Sequence, residues 1–159
     1  MTDIEILNEI KVRKILDSEN IPYHLLLDAD PSIEVISTYL GLSEIYVSLL
    51  ENKIIGTFVL YPVDASTLEI KNIAVEEGLQ RRGIGKLLLK KATEIARARG
   101  IKKLDIATSN ASFEALSLYQ KEGFDIDFIK KNFILENYPE PLFDNGIRCR
   151  HMIVLTKYL

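Results

Sequence analysis

The stretch from Leu68 to Ala98 constrains the fold more than any other part of the chain. Ile84, Leu87, Leu88, Ala92, Ile95 and Ala96 recur at spacings of three and four, the stripe of a helix with one buried face. Arg97, Arg99 and Gly100 close that helix, with cations in its last turn and a glycine to leave it. Such a helix needs a layer to lie on, and the residues before it supply a strand. Leu68 and Ile70 share one face under period-two alternation, but Ile73 and Val75 fall on the other, so the apolar phase slips around Lys71-Asn72. A β-bulge at that point would restore it.

The flanking segments extend the pattern. Lys103 to Ala107 reads as a strand, Ser112 to Lys121 as a second helix, and Phe124 onward as a strand running toward Leu135, which together make an α/β unit. Upstream, Ile10 to Leu16 reads as a first strand, Pro22 opens a short helix through Leu27, and Pro31-Ser32 starts another. Ile45–Leu50 and Ile54–Tyr61 form a hairpin stopped by Pro62. The tail adds a loop from Asn137 to Pro141 and a last strand through Met152–Leu155. No repeat or linker divides the 159 residues, so one domain over 1–159 is expected.

Composition removes several function classes. Hydrophobic residues make up 47% of the chain and charged residues 27%, a globular rather than a disordered profile. Cys149 is the single cysteine, and with His151 it falls far short of a zinc site; Asp28-Ala29-Asp30 lacks the glycine and distal glutamate of a calcium loop, so no metal is expected. No apolar run approaches the roughly 20 residues of a membrane span, and the segment Met1–Glu5 is acidic, which predicts a cytoplasmic protein with no membrane partner.

Charge is uneven. Residues 1–78 hold fourteen acids and five bases, and residues 79–159 nine acids and fifteen bases. The basic stretch from Arg81 to Lys103 could seat a polyanion or simply form a solvated helix face. Nucleic acid is not the expected partner, since the pI is near 5.5.

Between strand and long helix lies Gln80-Arg81-Arg82-Gly83-Ile84-Gly85-Lys86. Glycines there let a ligand approach the backbone, and the free N–H groups of the first helical turn suit a phosphate. Two nucleotide motifs fail: a Walker A loop would need glycine at 80 and Ser or Thr at 87, and a dinucleotide fingerprint would need glycine at 88.

The loop in its context resembles the acetyl-CoA signature of the GCN5-related N-acetyltransferase (GNAT) family, (Gln/Arg)-x-x-Gly-x-(Gly/Ala), preceded by Ile73-Ala74-Val75. Ala115-Leu116-Ser117-Leu118-Tyr119-Gln120-Lys121-Glu122-Gly123-Phe124 resembles the family's second signature, and the likeness spans about Glu44 to Phe128. One position departs: the asparagine often found seven residues before the tyrosine is Ser112, with Asn110 two positions earlier, so either could face the cofactor. The resemblance implies a mixed, mostly antiparallel sheet flanked by helices, with a bulged strand next to the cofactor loop.

It also implies direct transfer of acetyl from acetyl-CoA to an amine, with no metal. On that reading Ile73, Ala74 and Val75 offer unpaired backbone donors to the pantetheine and thioester, and Gln80, Arg81, Arg82, Gly83, Ile84, Gly85 and Lys86 cradle the pyrophosphate. Tyr119 protonates the leaving thiolate; phenols titrate near 10 and thiols near 8.5, so the proton is available at neutral pH. The amine needs a proton acceptor, either Glu69, six positions before Val75, or a chain of waters. Asn72, polar in an apolar strand, orients the amine or only satisfies the bulge. The acidic residues Asp28, Asp30, Glu34, Glu136, Glu140 and Asp144 would favour a cationic small-molecule amine. A peptide acceptor and a non-catalytic acyl-CoA sensor are the alternatives. The apolar tail suggests a lid or subunit contact, and a last strand left at a sheet edge suggests a homodimer; the competing account buries that strand within one subunit, beside the strand from Phe124.

Overall fold

The computed structural model describes residues 1–159. Its elements, in chain order, are α1 (Asp3–Glu9), β1 (Lys11–Lys14), α2 (Tyr23–Ala29), α3 (Ile33–Leu40), β2 (Glu44–Leu50), β3 (Lys53–Asp64), β4 (Thr67–Val75), α4 (Ile84–Ala98), β5 (Lys103–Ser109), α5 (Phe113–Lys121), β6 (Asp125–Lys130), α6 (Phe133–Asn137), β7 (Phe143–Asp144), β8 (Ile147–Arg148) and β9 (Met152–Tyr158). Seven strands form one sheet in the order β1-β2-β3-β4-β5-β9-β6, and β7-β8 form a separate two-stranded ribbon. Every neighbour in the large sheet is antiparallel except β4 with β5. No helix is long and apolar enough to cross a membrane.

The phase slip in β4 is a bulge. Val59 pairs with Asn72 and Leu60 with Ile70, which leaves Lys71 as the extra residue. Leu68 and Ile70 before it, and Ile73 and Val75 after it, therefore all reach the core under α4. That core contains 17 buried residues, among them Phe58, Leu104 and Phe124, and is covered by α1, α4 and α5. The buried stripe of α4 is Ile84, Leu88, Leu89, Ala92, Thr93 and Ala96, so Leu89 takes the central place that the spacing gave to Leu87. Burying each of those leucines contributes about 1.5–3 kcal/mol. On the opposite face α2 and α3 pack Leu26, Ile36 and Tyr39 over Ile45 and Val59.

Three expectations change, and for the tail one of two alternatives is taken. β3 does not stop at Pro62 but runs on to Asp64; past Leu60 it has no β2 partner, so a residue without an N–H is tolerated on that side. The strand from Phe124 ends at Lys130, because Asn132 takes a left-handed backbone (φ 61°) that starts α6. The tail packs within the chain: Ile134 and Cys149 bury against Ala111, with Tyr138, Leu142 and Met152 around them. Finally, the last strand is not at the edge. β9 lies between β5 and β6, where it pairs along its whole length with β5, and the edge is β6. The reason given for a homodimer does not survive that placement.

Candidate functional site

β4 and β5 pair only from Thr67/Lys103 to Ile70/Ile106. Beyond Ile70, β4 stays with β3 while β5 follows β9, so the sheet splays and the β5 side of Lys71–Val75 has no strand partner. Unpaired backbone groups in a buried wedge are a site for a ligand to bond.

Two cavities meet at this wedge. The larger, about 780 Å3, is bordered by Ile73, Ala74 and Val75 on one side and by Gln80, Arg81, Gly83, Gly85 and Lys86 on the other, with Glu114, Ala115 and Leu118 of α5 as floor. The smaller, about 300 Å3, lies between the splayed strands, lined by Ile70, Lys71, Asn72 and Ile73 from β4 and by Ile106–Ser109 from β5. Asp28, Ala29, Ile73, Tyr119 and Asp144 border both.

The glycine loop is built by its backbone. Gly83, the residue before α4, has φ 86° and Arg81 has φ 62°, a conformation that costs a non-glycine residue of order 1 kcal/mol and tends to be kept at binding loops. Gly83 offers no side-chain cap and the first turn of α4 holds no acid, so its N–H groups are free and the helix dipole is unopposed. Gln80 Nε2 donates to the Val75 carbonyl at 3.1 Å, tying the loop to the splayed strand. Ile84 is a core residue, 1% exposed, and contributes to the loop only through its backbone; Arg82 is exposed and borders neither cavity.

Tyr119 is 7% exposed, and burial alone pushes its phenol up to about 12. It stands at the junction of the cavities. Asn72 is 4% exposed; its Nδ2 donates to the Leu26 carbonyl at 3.0 Å and the Tyr39 hydroxyl at 3.2 Å, while its Oδ1 has no partner. Glu69 borders neither cavity and lies 3.3 Å from Lys71 Nζ. The pair Asn110 and Ser112 divides cleanly. Asn110 borders neither cavity: its Oδ1 accepts from the backbone of Arg150 and His151, at 2.8 and 3.0 Å, fastening the tail. Ser112 borders the smaller cavity and shares a 2.8 Å hydrogen bond with Ser109.

Sequence reasoning passed over Tyr39, Tyr138 and Glu114. The Tyr138 hydroxyl donates to Asp30 Oδ1 at 2.8 Å, closing the tail over the smaller cavity, and the signal for it was an aromatic beside Pro139 in a loop too apolar for solvent. Glu114 is held by Asn145 Nδ2 at 3.1 Å, a bond that lowers its carboxyl below the ordinary value. Asn145 also donates to the Ala111 carbonyl at 2.9 Å, which seats the β7-β8 ribbon, and Asp144 with it, against the start of α5.

Comparison with known proteins identifies the family and the fold. Residues 13–124 match the acetyltransferase (GNAT) family. The uncharacterised N-acetyltransferase YvbK of Bacillus subtilis is 44% identical over 133 residues, covering 84% of this chain and 86% of that protein. A GNAT family acetyltransferase from Elizabethkingia anophelis, solved with acetyl-CoA bound, superposes with a TM-score of 0.94 at 50% identity, covering 96% of this chain and 99% of that one. A Bacillus subtilis acetyltransferase in complex with CoA gives a TM-score of 0.88 at 40% identity over 94% of this chain and 99% of its own.

Proposed function

The chain belongs to the acetyltransferase (GNAT) family, and from that premise we propose that it is a cytoplasmic enzyme moving acetyl from acetyl-CoA directly to a primary amine of a small molecule. The observation that carries the reading is the junction at Tyr119: a cofactor-sized cavity along the glycine loop opens there into a small second cavity between the splayed strands.

The pyrophosphate sits on the N–H groups from Arg81 to Lys86, with the Arg81, Arg82 and Lys86 side chains adding charge. The pantetheine runs along Ile73–Val75, whose freed backbone groups bond it and polarise the thioester carbonyl as an oxyanion hole does. Ser112 faces the acyl end, and Asn72 orients the amine. The amine nitrogen attacks the carbonyl carbon, the C–N bond forms and the C–S bond breaks. Tyr119 then donates to the departing sulfur. With its phenol up at about 12 and an ordinary thiol near 8.5, full transfer is uphill, so the hydroxyl stabilises the developing thiolate before the proton moves. Any proton that Glu69 takes reaches it through water. The reading invokes no covalent intermediate and no metal. A homodimer now rests on the edge strand β6, where Ile126, Phe128 and Ile129 are exposed.

Incubation with acetyl-CoA and a panel of primary amines, reading released thiol, tests the reading. At least one amine should be turned over, and Tyr119→Phe should lower that turnover by roughly ten- to a thousandfold with acetyl-CoA affinity kept. Equal turnover by parent and variant would return Tyr119 to a packing role.

A further inference from the structure

The smaller cavity holds a carboxylate that the reading above leaves idle. Asp30, half-buried at the C-terminal end of α2, is on its wall. Oδ1 accepts from the Tyr138 hydroxyl at 2.8 Å and from the Ser32 N–H at 3.3 Å, which fixes the carboxylate plane. The Tyr39 hydroxyl also acts on the carboxylate as a hydrogen-bond donor, and no lysine or arginine pairs with the group. Burial pushes this carboxyl above its ordinary value, with the hydrogen bonds from Tyr138, Ser32 and Tyr39 acting against the rise. A half-buried carboxylate on a cavity wall with no cation beside it is a candidate functional group.

A second acceptor stands on the same wall. Asn72 Oδ1 is buried without a donor while its amide nitrogen is committed elsewhere. Lys71, the one cation lining this cavity, does not answer either group: its Nζ is with Glu69 at 3.3 Å and lies over the rings of Tyr39 and Tyr61. Asp28 and Asp144 keep the mouth acidic, and Ile70, Ile106, Leu142 and Met152 give apolar wall beside the hydroxyls of Thr108, Ser109 and Ser112. A carboxylate without a paired cation and an amide oxygen without a donor, in an acidic space of about 300 Å3, suit a compact cation and oppose an anion.

We propose that Asp30 anchors the acceptor's ammonium and takes its proton, and that the acceptor is a small primary amine with an apolar body and no carboxylate beside the amine. The inference rests on the acetyl-transfer reading. Asp30 Oδ2 takes one proton from the ammonium, and the neutral nitrogen attacks the thioester. As the C–S bond breaks the thiolate gains the Tyr119 proton, the second proton shed by nitrogen restores the phenol, and Asp30 releases its own to water. One proton leaves per amide formed.

Phenethylamine and phenylalanine, which differ by one carboxylate, test the acceptor class on the unmodified protein. We expect kcat/KM at least about tenfold higher for phenethylamine. Asp30→Asn should lower kcat/KM by roughly a hundredfold or more, through both kcat and KM, and Asp30→Glu should restore part of it. The parent's kcat/KM should fall as pH drops through a value above the ordinary carboxylate range, and Asp30→Asn should lose that acid limb. Tyr138, Tyr39, Ser32, Asp28, Asp144, Lys71 and Glu69, which surround Asp30 in the variant as in the parent, stay in place. Phenylalanine turned over as well as phenethylamine, or an Asp30→Asn enzyme with parental rates and the acid limb intact, overturns the inference while acetyl transfer stands. Absence of turnover with every amine overturns both.

Discussion

The two glycines of the loop before α4 do different work, and a substitution at each reads a different quantity. Gly83 sits at φ 86°, so any side chain there is strained and Gly83→Ala should cost about 1 kcal/mol of stability. Gly85 has no such constraint: a Cβ would meet Leu118 Cδ2 at 3.5 Å, an ordinary contact, on the border of the larger cavity. Gly85→Val should therefore leave thermal unfolding nearly unchanged and weaken acetyl-CoA binding by about tenfold or more, measured by titration calorimetry. Parental affinity in the folded variant would remove the cofactor from this loop. The glycine spacing was legible in the sequence because a backbone requirement restricts residue type. The choice between Asn110 and Ser112 was not, since both are small polar residues at a helix entry and only the tail's need for Asn110 as a backbone acceptor separates them.

At the scale of elements, the splay depends on β3 holding β4 while β5 departs. Gly56 pairs with both Ser48 and Val75 at the end of the wedge, and a Cβ there would lie 2.5 Å from Ser48 Oγ, 3.2 Å from the Ala74 carbonyl and 3.3 Å from Leu88 Cδ1. Gly56→Ala should destabilise the protein by about 1–3 kcal/mol in urea unfolding. Ser48 Oγ is buried with no partner, so Ser48→Ala alone should be neutral or stabilising, and the double variant should recover part of the loss. Additive effects would mean the strands accommodate the methyl some other way. The β4 bulge was readable because it shifts the apolar phase by one residue. The end of β6 was not: Phe124–Leu135 is apolar enough for a strand, and what breaks it is the left-handed Asn132, a local conformation that composition does not reveal.

For the whole molecule, the order of strands decides where chemistry can occur. Inserting β9 between β5 and β6 draws β5 away from β4 and opens the wedge, and the sequence left β9 either at an edge or beside the strand from Phe124, because pairing partners far apart in the chain leave no local mark. The acidic first half and the basic second half meet across that wedge. Asp30 lines only the smaller cavity and Arg81 and Lys86 only the larger, while Asp28 and Asp144 border both. The most direct test is a crystal structure of the protein with acetyl-CoA. The account predicts the pyrophosphate on the backbone from Arg81 to Lys86 and the acetyl group in the wedge between β4 and β5, within reach of Tyr119 and opening onto Asp30. A pyrophosphate bound away from that loop, or an acetyl group pointing out of the wedge, would contradict it.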